Sequence, residues 1–410
     1  MPRLRVNLPL WLDGDAAKIQ VRFPRLTRKI TADVVVVGGG ITGAAAAWRF
    51  ADAGVRVVLV EARRIGRGSS SATTALLMQE PDEDFTLLAK RYGTAKATRI
   101  WELSVGATHE FVRTLAKLRI SCDLVRRDSV YYAATLEHAG RLRDEHRRRV
   151  EAGFRGRWLT GAAVRRAVGF DAPAALRTQG NAQADPFRAC VGMIRAAVRG
   201  GATVFENSPV TAIVPSRHDV VVDTGSGSIR ADRVVIATGY ATPYFKPLDA
   251  RFRMLNTYVV ATRPLTARQR RSVGLGPVML WDTGRPYFYA RWTADHRLLL
   301  GGGDRRLVPE RLRAAALLEG ARTVRDHFVR LYPPLADIAI DYTWEGLFAT
   351  TPDGLPYIGP HRRYPRHLFA LGYGGNGMTL GFLASKLLLD YYRGMRSPDQ
   401  ELFAFTRKPA

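Results

Sequence analysis

The sequence of 410 residues predicts an α/β fold with two domains, which can be interleaved. An apolar run at Val34–Val37 is typical of a buried parallel strand. Glycines follow it, then a helix over about 42–53 and a second apolar strand at 55–60, which together make a βαβ unit. A second α/β stretch runs from a helix at 186–199 to a strand at 233–237.

The other segments are assigned by the periodicity of their apolar residues. Residues 1–30 resemble an irregular lead-in, and residues 91–180 are predicted to be mainly helical and polar. Residues 246–344 alternate strands with a helix near 309–330. An amphipathic helix at 378–392 follows the loop GYGGNG.

Basic residues outnumber acidic ones by 62 to 37, which gives a net charge of +25. Such a charge is compatible with binding to nucleic acid or to a membrane surface. The cations are scattered, however, and in the dense run 141–149 they are interrupted by Asp144 and Glu145, as on a solvated helix face. We therefore expect no specific nucleic-acid partner, and a basic protein associated with nucleic acid remains an alternative.

The two cysteines and eight histidines show no disulfide framework and no metal-ligand spacing. We therefore expect no metal site. The stretch MPRLRVNLPLWLDGD has no apolar core long enough for a signal peptide, and the run Val34–Val37 is far too short to span a membrane. The expectation is a cytoplasmic protein with no transmembrane segment.

A glycine motif, G-x-G-x-x-G, occupies residues 38–43, where it follows a strand and opens a helix. Gly38 permits the tight turn, Gly40 lets the backbone approach a pyrophosphate, and Gly43 lets helix and strand pack closely. The helix N-terminus adds free N–H groups for the phosphates. Glu61, 21 residues beyond Gly40 at the end of the second strand, can accept hydrogen bonds from ribose hydroxyls and argues against NADP.

Two later features favour FAD over NAD as the dinucleotide. The run RGSSSATTA at 67–75 is small and hydroxylic, and it can lie against a flat ring or be an ordinary surface loop. The loop at 371–381 opens a second helix, whose N-terminus would stabilise negative charge on the pyrimidine end of a reduced flavin, unless the loop is a structural turn. Two such loops at opposite ends of the chain suit a cofactor as long as FAD.

Several motifs in a fixed order carry a family resemblance. They are DVVVVGGGITG with VEARRIGRGSS, then ADPFRACVGMIRAAVRGGATVFENSPVTAI, DRVVIATG, and WEGLFATTPDGLPYIG leading into HLFALGYGGNGMTLG. Over nearly its whole length the chain resembles the D-amino acid oxidase family of FAD-dependent oxidoreductases. This family includes glycine oxidase, sarcosine oxidase, D-amino acid dehydrogenases and γ-glutamylputrescine oxidase.

The resemblance implies a doubly wound, Rossmann-like FAD-binding domain interleaved with an α+β substrate domain built on a large mixed sheet. The FAD-binding domain is expected to comprise residues 31–90, 181–245 and 345–395. The substrate-binding domain is expected to comprise residues 91–180 and 246–344.

The resemblance also implies which residues hold the cofactor. The Val210 backbone would reach the adenine, residues 237–239 would pass beneath the diphosphate, and residues 375–379 would cap the pyrimidine ring. The full implied set is Gly38, Gly40, Ile41, Thr42, Gly43, Glu61, Ala62, Arg63, Ser69, Ser70, Ser71, Ala72, Val210, Ala237, Thr238, Gly239, Gly375, Asn376, Gly377, Met378 and Thr379.

Three departures from the family pattern qualify this expectation. Some members carry a flavin-linking cysteine near WEGLF, whereas residues 345–348 here contain no thiol, so FAD should be bound non-covalently. Leu299 stands at about the place where sarcosine-oxidase-like members carry an oxygen-activating lysine, so the electron acceptor can be oxygen or a carrier. Phe348 stands where glycine-oxidase-like members carry an arginine for the substrate carboxylate.

Candidate substrate residues come from the segments 281–292 and 341–348. Tyr289 aligns with the family's substrate-facing tyrosine, and on the alternating strand it shares a face with Arg291. Either Arg291 or Arg285 could hold an acidic group. Tyr258 and Trp344 could wall an apolar or cationic amine, although each aromatic could equally fill the core of a large sheet.

The reaction implied by the family is hydride transfer from a C–H bond beside an amine nitrogen to the flavin, after which the imine hydrolyses. We therefore predict an FAD-dependent oxidoreductase of a small amine or amino acid, with Phe348 favouring an amine that has no adjacent carboxylate. The alternatives are a D-amino acid dehydrogenase that passes electrons to a quinone or carrier, and a basic flavoprotein associated with nucleic acid.

Overall fold

Helices and strands are described by a computed structural model for residues 5–14, 19 and 22–408. The helices are α1 Ile41–Asp52, α2 Ser69–Ala72, α3 Phe85–Tyr92, α4 Thr94–Lys117, α5 Leu136–Glu151, α6 Ala162–Val168, α7 Pro186–Arg199, α8 Ala267–Val273, α9 Arg313–Leu331, α10 Gly377–Tyr392 and α11 Pro398–Phe403. The strands are β1 Arg5–Val6, β2 Lys29–Thr31, β3 Val34–Val37, β4 Val57–Val60, β5 Leu76–Leu77, β6 Val125–Tyr132, β7 Arg157–Leu159, β8 Ala175–Gln183, β9 Thr203–Phe205, β10 Ala212–Pro215, β11 Val220–Asp223, β12 Ser228–Ala231, β13 Arg233–Gly239, β14 Arg253–Thr262, β15 Val278–Asp282, β16 Phe288–Trp292, β17 Leu298–Arg306, β18 Ile340–Thr350, β19 Tyr357–His361 and β20 Tyr364–Leu371.

One sheet has the order β19-β20-β13-β3-β4-β9 and is parallel except for β19. Its central strand β3 is apolar on both faces because both faces are covered. Val34 and Val36 belong to the core that contains α1, α7 and α10. Val35 faces a second core beneath the sheet β10-β11-β12-β2. The carboxyl ends of the parallel strands therefore lie together at one edge, where the first glycine loop leaves β3.

A larger mixed sheet has the order β1-β18-β14-β17-β16-β15-β6-β8-β5, with β7 paired to β8. Its neighbouring strands are antiparallel apart from the pair β15 and β6. Helix α9 packs on one face, against β14, β17 and β18. The opposite face covers the edge of the parallel sheet.

The predicted fold class is confirmed: a Rossmann-like parallel sheet is combined with a large mixed sheet. One face of the parallel sheet is covered by a four-stranded sheet instead of by helices. The predicted mainly helical character of 91–180 is wrong at β6 and β8. Strand β6 is partly exposed in its first half and buried throughout its second, so its sequence VRRDSVYY does not alternate.

The boundaries of the two predicted domains stay a prediction. The parallel sheet takes its strands from all three segments assigned to the FAD-binding domain, but β5 of the first segment joins the large sheet. The lead-in also contributes, because β1 pairs with β18. In the described part of the chain, no helix is both long enough and apolar enough to cross a membrane.

Candidate active site

A cavity of about 340 Å³ extends from the carboxyl edge of the parallel sheet to the inner face of the large sheet. We call its two ends the glycine-loop end and the sheet end. The glycine-loop end is formed by Gly38–Thr42, Glu61, Ala237–Gly239 and Gly375–Met378. The sheet end is formed by Asp82, Met254, Thr257, Trp281, Tyr287, Tyr289, Asp304 and Phe348.

The first glycine loop places backbone against backbone. Gly38 has φ of +112°, and a Cβ there would lie 2.6 Å from the carbonyl oxygen of Ala237. A Cβ at Gly43 would lie 1.8 Å from the carbonyl oxygen of Gly38, so helix α1 could not pack on β3 with a larger residue. The glycines therefore perform the structural roles that the motif predicts.

The N-terminus of α1 opens into the cavity beside the hydroxylic segment α2. Ser70 Oγ accepts a hydrogen bond from the Ile41 N–H at 2.9 Å, and a Cβ at Gly40 would lie 2.9 Å from the same oxygen. The Ser69 hydroxyl donates to the Leu347 carbonyl at 2.7 Å and so ties α2 to β18. The N-terminus of α1 therefore lies at the cavity wall, and its N–H groups beyond Ile41 are suited to phosphate oxygens.

Glu61 ends strand β4 at the edge of this loop. Its carboxylate accepts hydrogen bonds from the Gly39 N–H at 2.7 Å and from the Arg63 N–H at 2.8 Å. Burial raises the pKa of Glu61, and these two hydrogen bonds oppose the rise. The carboxylate lines the cavity with lone pairs still free for further donors such as ribose hydroxyls.

The second glycine loop is tied to the segment 78–80. The Asn376 amide donates to the carbonyls of Met78 at 3.1 Å and Glu80 at 3.0 Å, and the Thr379 hydroxyl donates to Met78 at 3.1 Å. Asn376 Oδ1 is buried and has no hydrogen-bond partner among the described residues. An orphaned acceptor at the N-terminus of α10 fits a ligand with an N–H donor, which the flavin pyrimidine ring provides.

The described residues that line the cavity include neither cysteine nor histidine. Both thiols are buried elsewhere: Cys190 lies behind the first glycine loop and contacts the Gly39 carbonyl at 3.6 Å. Burial, together with the negative charge of Glu61, raises the pKa of Cys190 far above its usual range. The arrangement supports non-covalent binding of FAD.

At the sheet end, two tyrosines project from β16 and the turn before it. The rings of Tyr287 and Tyr289 have centroids 6.0 Å apart, and Tyr289 Oη lies 3.3 Å from Thr257 Oγ1. A Cβ at Gly301, the partner of Tyr289 across the sheet, would lie 2.3 Å from its ring. Gly301 is thus the residue that makes room for the Tyr289 side chain.

Two carboxylates line the cavity together with this tyrosine pair. Asp82 accepts a short hydrogen bond from the Gly375 N–H, and Asp304 lines the cavity together with Thr257. Burial raises the pKa of Asp82 to about 7, assisted by Glu83 and Asp304 and opposed by the Gly375 N–H. Burial raises the pKa of Asp304 to about 6, with Thr257 opposing the rise.

Of the residues predicted to contact substrate, Tyr289 and Phe348 line the cavity. Trp344 does not: it is fully buried, and its indole N–H donates to the Ala72 carbonyl at 2.8 Å, which fixes α2. Tyr258 does not line it either, because its ring packs beneath Gly320 of helix α9. Trp344 and Tyr258 therefore fill the core, which is the second of the two roles that the sequence leaves open for them.

Arg291 also lies away from the cavity, although it alternates with Tyr289 on β16. Its buried guanidinium donates to the carbonyls of Thr74, Trp292 and Ala184, the last at 2.8 Å. Burial lowers its pKa to about 9. These carbonyls satisfy the guanidinium, so Arg291 connects loops and is not positioned to hold a substrate acid.

Most of the predicted cofactor residues line the cavity, and the exceptions have other contacts. Gly43 acts through packing, Thr379 through its hydrogen bond to Met78, and the Ser71 hydroxyl donates to the Gly68 carbonyl at 2.9 Å. Arg63 is replaced at the wall by its neighbour Arg64, which pairs with Glu206 at 2.8 Å.

Sequence reasoning missed Asp82 and Asp304 as cavity residues, and it named the segment that begins with Trp281 without singling out that residue. Trp281 stacks on Tyr131 with centroids 3.9 Å apart and so presents an ordered aromatic wall. A weak signal existed for Asp304, because it closely follows Gly301, the glycine that makes room for the Tyr289 side chain. Asp82 lies in the acidic run PDED, which looks like an ordinary surface turn.

Comparison with known proteins agrees with this geometry. The family model for FAD dependent oxidoreductases (DAO) matches residues 33–391. Gamma-glutamylputrescine oxidoreductase of Escherichia coli strain K12 is 30% identical over 400 residues, covering 94% of this chain and 89% of that protein. Glycine oxidase of Bacillus licheniformis is 27% identical over 392 residues, covering 92% and 98% of the two chains.

Solved structures have the same fold. The crystal structure of glycine oxidase from Geobacillus kaustophilus superposes with a TM-score of 0.77 at 23% identity, covering 92% of this chain and 99% of that one. L-alpha-glycerophosphate oxidase from Mycoplasma pneumoniae with FAD bound gives a TM-score of 0.72 at 14% identity, covering 90% and 97%. The resemblance inferred from the motifs is confirmed: the chain belongs to the DAO family of FAD-dependent oxidoreductases, and its cofactor is FAD.

Proposed function

We propose that this enzyme oxidises the C–N bond of a small amine that carries no carboxylate beside the reacting nitrogen. The observation that carries the proposal is the charge of the sheet end. It contains the carboxylates Asp82 and Asp304, and no arginine or lysine lines it among the described residues. A carboxylate next to the reacting carbon would be buried there without a partner and beside like charges, whereas an ammonium would be attracted.

The aromatic residues at the sheet end support the same substrate class. Tyr287, Tyr289 and Trp281 can contact a cation with their ring faces, and Phe348 can contact an alkyl chain. The Arg285 guanidinium stands outside the cavity, with its Cζ 5.7 Å from the Tyr287 ring centroid. An acid group far from the reacting amine could reach it, as the sequence predicts.

FAD, when bound, would supply the redox chemistry as the acceptor of a hydride. A neutral amine that lost a hydride from the adjacent C–H bond would become an iminium ion, and after loss of a proton the released imine would be hydrolysed by water to a carbonyl compound and ammonia or a smaller amine. The amine must be neutral when it reacts. Asp82 is suited to take its proton, because burial raises the Asp82 pKa to about 7.

Anaerobic reduction of the bound flavin by a panel of compounds tests the proposal. The panel contains primary and secondary amines, glycine, D- and L-amino acids and N-methyl amino acids. We expect amines to bleach the flavin absorbance rapidly and simple amino acids to do so slowly or not at all. Rapid bleaching by glycine or D-amino acids, with none by amines, would contradict the proposal.

A second candidate function concerns the electron acceptor: a dehydrogenase that uses a quinone or carrier. It is favoured by Leu299, which is fully buried in an apolar cluster where related oxidases place a lysine. Stopped-flow mixing of reduced enzyme with oxygen discriminates the two. A reoxidation rate well below the rate of turnover with an artificial acceptor supports the dehydrogenase, and a rate above it supports the oxidase.

A further inference from the structure

The sheet end contains more negative charge than one amine would neutralise. Asp82 and Asp304 both line the sheet end together with Tyr287 and Tyr289, and the charge of Asp304 contributes to the raised pKa of Asp82. A Cβ at Gly375 would lie 2.6 Å from Tyr287 Oη and 3.3 Å from Asp82 Oδ1, so Asp82 and Tyr287 meet at the second glycine loop. The Thr257 hydroxyl lies 3.3 Å from Tyr289 Oη, and Thr257 also opposes the rise in the pKa of Asp304.

Among the described residues, no arginine or lysine lines the cavity beside either carboxylate, and Arg285, outside the cavity, only partly offsets the raised pKa of Asp82. Asp304 Oδ1 is buried and has no hydrogen-bond partner among the described residues. Arg64, the arginine at the other end of the cavity, pairs with Glu206. The nearby Glu80 differs from both aspartates, because its two oxygens accept from the Ser129 hydroxyl at 2.9 Å and the Asn181 amide at 3.1 Å. The structure thus satisfies Glu80 internally and leaves Asp304 facing the cavity.

We infer that the substrate carries two amino groups, and that Asp304 binds the second, non-reacting group as an ammonium ion. The inference rests on the proposed function and narrows it to terminal diamines and longer polyamines or their N-substituted derivatives. Asp82, which contacts the second glycine loop, serves the reacting amine. Asp304, on β17, would be the specificity-determining residue because it discriminates diamines from monoamines of equal length.

An unpaired buried carboxylate is costly, and a bound ammonium would remove that cost. The raised pKa of Asp304, about 6, is the consequence expected of burial without a cation. Binding of an ammonium ion would lower this pKa again. The faces of Tyr287 and Tyr289 would contact the alkyl chain and the adjacent cation.

The test compares terminal diaminoalkanes with n-alkylamines of the same chain length. Flavin reduction is followed anaerobically in the wild type, Asp304→Asn and a control, Glu319→Gln. Glu319 is an exposed carboxylate on α9 that pairs with Arg305 at 2.8 Å, outside the cavity. Equilibrium titration of dithionite-reduced holoenzyme, followed by tryptophan fluorescence, gives Kd without turnover, since Trp281 lines the cavity.

For the wild type we expect diamines to bind about 10- to 100-fold more tightly than matched monoamines, the range of a charge-assisted hydrogen bond. Asp304→Asn should abolish that preference by weakening diamine binding alone, and Glu319→Gln should preserve it. If Asp304→Asn purifies without FAD, Asp304→Ser is measured in its place. Equal binding of diamines and monoamines by the wild type, or an unchanged preference in the Asp304 variants, would overturn the inference.

Failure of the proposed function looks different. If amino acids reduce the flavin and no amine does, the enzyme is not an amine oxidoreductase. If monoamines and diamines reduce it equally well in all three proteins, the proposed function stands and the role of Asp304 is lost.

Discussion

At the glycine-loop end of the cavity the wall is mostly backbone, whereas at the sheet end it is mostly side chains. Gly38, Gly40 and Gly43 stand where a Cβ would meet a carbonyl or hydroxyl oxygen at less than a normal contact distance. At the sheet end, Tyr289 and other side chains reach in from the large mixed sheet, and Tyr287 reaches in from the turn before β16. The first end therefore tolerates little change in sequence, while the second can change its substrate without changing the fold.

Substitution of a glycine in helix α1 should break the glycine-loop end most severely. A Cβ in Gly43→Ala would lie 1.8 Å from the Gly38 carbonyl oxygen, so α1 must move off β3. We expect loss of bound FAD, measured as the ratio of flavin to protein absorbance in purified protein. On helix propensity alone, alanine should stabilise the helix by about 1 kcal/mol.

Gly106→Ala is the matched control for that prediction. Gly106 also lies inside a helix, α4, but no atom lies within 4 Å of the position where a Cβ would be placed. We expect normal FAD content and equal or higher thermal stability. Equal FAD content in Gly43→Ala and Gly106→Ala would show that close packing at Gly43 is not needed for the cofactor.

At the sheet end, Phe348→Arg should change the substrate instead of destroying the site. The guanidinium would introduce a cation beside the bound ammonium and a partner for a carboxylate. We expect kcat/KM for amines to fall on the order of 100-fold, and flavin reduction by glycine or D-amino acids to increase. Phe348→Leu, which keeps an apolar contact, should retain amine activity. Unchanged amine kinetics in Phe348→Arg would remove this residue from the substrate site.

A smaller effect on FAD binding is expected from substitution of Glu61. This is the charged residue of the glycine-loop end that the dinucleotide-binding motif predicts. Glu61→Ala removes a carboxylate that holds the Gly39 and Arg63 N–H groups and faces the cavity. FAD binding should weaken by about 1–3 kcal/mol, and Glu61→Gln should retain part of the affinity. The Kd for FAD is measured by fluorescence of the flavin released on dilution. An unaltered Kd in Glu61→Ala would exclude a role in cofactor binding.

The two ends also differ in how far the sequence predicts them. The glycine motif, Glu61 and the second loop are local in sequence, and their roles follow from backbone geometry that is the same in every such fold. The sheet end depends on which residues of distant strands face inward. Tyr289 was placed correctly in the cavity by resemblance, whereas Trp344 and Tyr258 are equally aromatic and lie in the core.

Alternation along a strand also misled the prediction at Arg291. Residues i and i+2 of a strand share one face of the sheet. On this face of β16, Tyr289 lies open to the cavity, whereas Arg291 is covered by the loops whose carbonyls it contacts. Periodicity gives the face of a residue and carries no information about what covers it. The acidic character of the site was missed for the same reason, because Asp82 and Asp304 come to line one cavity only in the folded chain.

Some of the arginines that produce the net positive charge are buried in ion pairs, so they do not contribute to a basic surface. Arg313 is buried against Glu345, and Arg407 holds the C-terminal segment by pairing with Asp353 at 2.7 Å. Asp353 is buried, which would raise its pKa, but Arg407 outweighs this and lowers it to about 2. The absence of a specific nucleic-acid partner stays a prediction, to be tested by binding to RNA at physiological salt.

The smallest expected effect separates the two tyrosines that sequence reasoning treated alike. Tyr258 Oη is buried without a hydrogen-bond partner among the described residues, while Tyr289 Oη lies in the cavity next to Thr257. Tyr258→Phe removes an unsatisfied hydroxyl, so the free energy of unfolding should stay equal or rise by about 1 kcal/mol.

Because Tyr258 packs beneath α9, away from the cavity, kcat/KM of Tyr258→Phe should match that of the wild type. Tyr289→Phe should instead lower kcat/KM for amines by about 10-fold, since it deletes a hydroxyl from the polar cluster around Asp304 and leaves the ring in place. Chemical denaturation and anaerobic flavin reduction measure the two effects on the same preparations. A loss of activity in Tyr258→Phe as large as that in Tyr289→Phe would show that the Tyr258 hydroxyl contributes to the active site although it lies outside the cavity.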